Sequence, residues 1–90
     1  MTFEEFKSKM ISRMKGRSFF QEEAKENNIS TELYCSIYFD YMNTVDNDVQ
    51  KAYKDVCEGE SINSVTEPLL LLWSYWETIP LPEEVLKKYL

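Results

Sequence analysis

Three adjacent carboxylate pairs, Glu4-Glu5, Glu22-Glu23 and Glu83-Glu84, and two thiols, Cys35 and Cys57, are the groups in these 90 residues with chemistry to offer. Paired carboxylates do acid–base work when both face one substrate. Neighbouring residues on a helix point about 100° apart, so none of these pairs shares a site. The chain has no histidine, which removes the usual general base and the Ser-His and Cys-His nucleophile pairs. Two cysteines without histidine leave a zinc site short of ligands, and two glycines do not make a phosphate-cradling loop. Neither thiol has an evident basic neighbour to hold it as thiolate, so both read as buried, reduced side chains. The expectation is a non-catalytic chain with no cofactor and no metal.

Binding chemistry has more to work with. The stretch FQEEAKENNISTELYCSIYF, residues 20 to 39, carries Ala24, Asn28, Ile29, Tyr34 and Ile37 at the intervals of a helix, a tight turn and a second helix. A DNA-reading pair of this kind needs Arg, Lys, Asn or Gln on its second helix and basic groups near the phosphates. Here residues 30 to 42 contain none of the four and add Glu32 and Asp40, while Glu22, Glu23 and Glu26 stand on the helix before. The position before Asn28, commonly apolar in this motif, is Asn27. The spacing is a fold signal more than a functional one.

Charge is divided along the chain. Residues 1 to 17 hold Lys7, Lys9, Arg13, Lys15 and Arg17 against two acids, whereas residues 18 to 84 hold fourteen acids against three lysines; the total is −6. The basic set, aligned along one strip of the first helix, would make phosphate contacts. The acidic body would repel nucleic acid and attract a basic protein. Asp46, Asp48, Asp55, Glu58 and Glu60 are the expected acidic docking residues. Aromatic residues and Met favour interfaces, which marks Tyr34, Tyr38, Tyr41 and Trp76 as the expected aromatic ones.

These groups must be positioned by helices. Thr2 and Glu5 have capping-box spacing, Phe3, Phe6, Met10 and Met14 follow at helical steps, and Gly16 suits a left-handed stop, giving a first helix over about 3–15. Ser18 and Gln21 repeat the capping signature for a short second helix with Phe20 and Ala24 inward, ending at Asn27-Asn28. Ser30 or Thr31 opens a third helix, apolar round most of its girth. The segment NTVDND, residues 43 to 48, should break it, one continuous helix to 58 being the alternative. Val49, Ala52, Tyr53, Val56 and Cys57 pattern a fourth helix that Gly59 stops. Ser61 or Ser64 opens another, whose LLLLWSYW run is expected to be the central helix, and Thr78-Ile79-Pro80 ends it. Pro82, with acids in the first turn and lysines in the last, predicts a short final helix docked through Val85, Leu86, Tyr89 and Leu90.

The sequence thus predicts an all-α, single-domain bundle of five or six short helices over residues 1–90, with a helix-turn-helix-like pair at about 19–42. No run approaches the ~20 apolar residues of a membrane span, and no apolar leader opens the chain, so a cytoplasmic, membrane-free protein is expected. Its expected role is a small acidic regulator or inhibitor that docks on a basic partner protein, where by imitating the charge of a nucleic acid it would occupy a nucleic-acid-binding cleft. Two other readings stand beside it. One is a helix-turn-helix DNA-binding regulator using the basic first helix; the other is a self-associating subunit, such as a homodimer.

Overall fold

A computed structural model of the chain describes residues 2–45, 47–58 and 75–89. Among them are five helices and no strand: α1 Phe3–Met14, α2 Ser18–Glu26, α3 Thr31–Val45, α4 Asp48–Glu58 and α5 Glu83–Tyr89. The protein is a small all-α bundle. The expected helix beginning near Ser61 or Ser64, the Gly59 stop and most of LLLLWSYW lie outside the described residues.

α1 forms as its local chemistry dictates. The Thr2 side chain accepts a hydrogen bond from the Glu5 amide at 3.1 Å, Glu4 and Glu5 occupy the positive first turn, and Arg13 sits in the last. Phe6, Met10 and Met14, four residues apart, are buried along one stripe. The stop differs from the expected one. No glycine among the described residues has positive φ, and the Gly16 amide instead donates to the Arg13 carbonyl at 3.1 Å. A tightened last turn therefore satisfies α1 without a left-handed residue. The predicted Ser18–Gln21 capping box is also replaced. Ser18 is already helical, Arg17 occupies the cap position without a side-chain bond, and Gln21 reaches back to the Lys15 carbonyl at 2.8 Å.

The junction between α2 and α3 is where the sequence reading holds best. Asn28 has φ 57°, the one positive value for a non-glycine among the described residues. Around it the Ile29 amide donates to Ala24 and the Asn28 amide to Lys25, both at 3.1 Å. This is the Schellman closure, with asparagine in the left-handed position that glycine usually takes. Half-buried Ile29 sets its side chain toward the core. Ser30 then caps α3 by accepting from the Leu33 amide at 3.1 Å. α3 and α4 are separate helices, as NTVDND predicted, and Gln50 Nε2 bridges their break to Asn43 Oδ1 at 3.0 Å.

α3 is the central helix of the described structure, packing against α1, α2, α4 and α5. Its apolar girth is thereby explained: Tyr34, Cys35, Ile37, Tyr38, Phe39 and Met42 are all buried because neighbours approach from several directions. Two aromatic groups fill the space. Phe3, Phe6, Phe39 and Tyr53 join α1, α3 and α4, while Phe20, Tyr34, Tyr38 and Trp76 join α2, α3 and the segment before α5. Ring centroids within each group lie 5–7 Å apart in tilted or edge-on arrangements, which the ring quadrupoles favour.

Candidate functional site

The helix-turn-helix-like pair is the natural place to look for a function, and its surroundings decide what it can do. α1 lies along α3 in antiparallel order, with Lys7 Nζ 2.8 Å from Asp40 and Lys15 Nζ 3.9 Å from Glu32. Lys7 also stands over the Phe39 ring, 6.0 Å from its centroid. Between the two ion pairs runs an open groove of about 350 Å³, lined by Ser8, Ile11, Ser12, Lys15, Glu32 and Ser36.

A reading helix needs one free side, whose residues enter the major groove. On α3, the Glu32–Ser36–Asp40 side faces α1, and the Tyr34–Tyr38 side faces α2 and residues 76–81. What remains outward includes Leu33, Thr44 and Val45, groups without base-reading amides or cations.

The expected basic strip is likewise divided. Lys7 and Lys15 occupy the edge of α1 against α3, while Lys9 and Arg13, four residues apart, share a different side. Arg17 lies beyond the helix and pairs through two nitrogens with the Glu77 carboxylate, Nη2 standing 3.2 Å from Oε2. The spacing of the five cations suggested one strip; the helical phase and these acidic partners do not produce it.

The aromatic residues expected at an interface are mostly interior. Tyr34 and Trp76 have 0% of their surface exposed and Tyr38 has 1%, whereas Tyr41 is half-buried. For Tyr34 and Tyr38 the physical reason is α3's central place: α2 and residues 76–81 cover the side of the helix that carries them. Asp46 and Glu60 lie outside the described residues, as do the side chains of Asp48, Asp55 and Glu58.

Burial also settles the state of the buried titrating groups. Removal from water pushes the Cys35 thiol up to about 12 and the Tyr34 hydroxyl up to about 12, and raises Tyr38 too, so all three stay protonated at neutral pH. Cys35 is thus an inert core thiol. The side chain of Cys57 falls outside the described residues. No cluster of three or more metal-ligating side chains occurs among the described residues.

Three features had no sequence signal. Tyr38 donates from its hydroxyl toward the carbonyls of Trp76, at 2.7 Å, and of Ile79. The Leu81 amide donates to the Tyr34 hydroxyl at 3.4 Å, and Arg17 reaches Glu77 across 60 residues. Helical periodicity reports neighbours three or four apart and is silent about such pairs.

No protein-family model, curated protein or solved structure matches this chain. Among the described residues no helix is long and apolar enough to cross a membrane.

The Arg17–Glu77 pair carries a pH prediction. The hydrogen bond from Arg17, more than its charge alone, holds the Glu77 carboxyl below its ordinary range. A depressed folded-state value contributes stability above the unfolded value and loses it as pH falls through the folded one. Wild type should therefore exceed Glu77→Gln in thermal midpoint at pH 7, with the gap closing below about pH 4. A gap unchanged from pH 7 to pH 2 would rule the ionic contribution out.

Proposed function

We propose that the protein is a small acidic, non-catalytic module that docks on a basic partner protein. The observation that supports this most is the crowding of acid on α2. Glu22 and Glu26 are exposed and Glu23 is half-buried between them. The Glu23 carboxyl is held above its ordinary range, first by burial and then by the Glu26 and Glu22 charges. Such a field draws in cations and is relieved by them. Meanwhile Lys7, Lys15 and Arg17 are occupied by acids of the same chain, so the basic end of the sequence is poorly placed to hold phosphate. The run from Asp46 to Glu60 adds to the same sign of charge.

The DNA reading is the weaker one, because Leu33, Thr44 and Val45 on the outward side of α3 offer no base-reading amide or cation. Affinity capture from native extract, with and without nuclease, separates the two. The expected result is a basic protein retained after nuclease, weakened by salt, and lost when Glu22, Glu23 and Glu26 together with Asp46, Asp48, Asp55, Glu58 and Glu60 are reversed to Lys. Capture that disappears with nuclease, or survives the reversal, would refute the proposal.

A further inference from the structure

The fastening of residues 75–89 sets them apart from the rest of the described bundle. α1, α2 and α3 are joined by rings and methionines interleaved along whole helix faces, with Phe6, Met10, Met14, Phe20 and Ala24 buried. Residues 77–82 have no regular secondary structure beyond a turn. Their polar ties to the body are made by side chains: the Tyr38 hydroxyl to Trp76 and Ile79, the Tyr34 hydroxyl to Leu81, and Arg17 to Glu77. A hydroxyl has one hydrogen, so Tyr38 satisfies the two carbonyls only by sharing it. The Leu81 bond is long, and the buried indole N–H of Trp76 has no acceptor among the described residues, which works against the docked state.

α5 has only seven residues, too short to persist alone in water. Its sizeable packing is with α3, through buried Leu86. Among the described residues the segment is thus held by Trp76, Leu81, Val85, Leu86 and a few side-chain hydrogen bonds, a lighter attachment than the interleaved faces of α1, α2 and α3.

We propose that residues 75–89 form a strap that detaches from α3 as one unit while α1, α2 and α3 remain folded. Detachment uncovers the side of α3 that carries Tyr34 and Tyr38, next to Phe20. The aromatic surface closed off in the docked state is then displayed. This inference stands apart from the acidic docking reading, and its test involves no partner.

The test is native-state hydrogen exchange of the full chain over a series of low urea concentrations. The amides of Ile79, Leu81, Val85 and Leu86 should share one opening equilibrium, at least about tenfold more open than that of Tyr38 and Phe39. They should also show a smaller urea slope, because less surface is exposed. Met10→Ala should raise exchange in α3 and leave the strap amides unchanged. If that variant fails to fold, the urea series on the wild type still decides. Strap amides that follow the same urea dependence as α3, or that exchange one by one without a common equilibrium, would overturn the proposal.

Discussion

Phe39→Ala should lower the unfolding free energy by about 3–5 kcal/mol, as truncation of a buried ring does when the cavity cannot collapse. Phe39 is fully buried, and its ring meets Phe3 at 5.8 Å, Phe6 at 6.1 Å and Trp76 at 6.5 Å. It therefore serves α1, α3 and the strap at once, and three neighbours would have to move together to fill the space. A domain of this size has roughly 5–15 kcal/mol in hand, so the loss takes a large share. Leu33→Ala on the same helix is the comparison, because Leu33 is 41% exposed and should cost well under half as much. Urea denaturation followed by far-ultraviolet circular dichroism measures both. Equal midpoints for the two variants would mean that the ring is not where we place it.

Tyr38→Phe is the second large effect, and it changes no volume in the core. Removing the hydroxyl leaves the Ile79 carbonyl without its donor. The Trp76 carbonyl keeps the Ile79 amide at 3.0 Å. A part-buried acceptor stripped of its partner costs about 1–3 kcal/mol. Burial raises the pKa of Tyr38, so its proton is retained and the loss should be the same from pH 5 to pH 9. Tyr41→Phe, at a half-buried position on the same helix, should shift the midpoint far less. If the two variants behave alike, the Tyr38 hydroxyl does not fasten residues 76–79.

How much of this was legible in the sequence depended on the range of the interaction. The α1 stripe of Phe6, Met10 and Met14, the Thr2 and Ser30 caps, the Asn27-Asn28 turn and the α3/α4 break all rest on residues close to one another in sequence. Each could be read from spacing. The stop near Gly16 falls where the sequence predicts it but without the left-handed glycine, because a tightened turn and a left-handed residue satisfy the same orphan carbonyls. The aromatic set was placed outward because composition alone does not say how many neighbours a helix has. Tyr34 and Tyr38 are expected at an interface on residue type alone, and the contacts of α2 and residues 76–81 make them interior. The basic strip failed for a related reason: the acids that engage Lys7, Lys15 and Arg17 lie 33, 17 and 60 residues away in sequence. The acidic docking expectation rests on the charge distribution of the chain and, among the described residues, on α2.

The placement of α3 has a kinetic consequence. The α2–α3 turn joins neighbours in sequence, whereas the strap's bonds to Tyr38, Tyr34 and Arg17 span 38 to 60 residues. Closing a longer loop costs more entropy before any contact rewards it, though the cost grows only slowly with length. Nucleation should thus begin where α1, α2 and α3 meet, with strap docking late. Mutations in the strap would then speed unfolding and leave the folding rate nearly unchanged, whereas those at the Asn28 turn would slow folding itself.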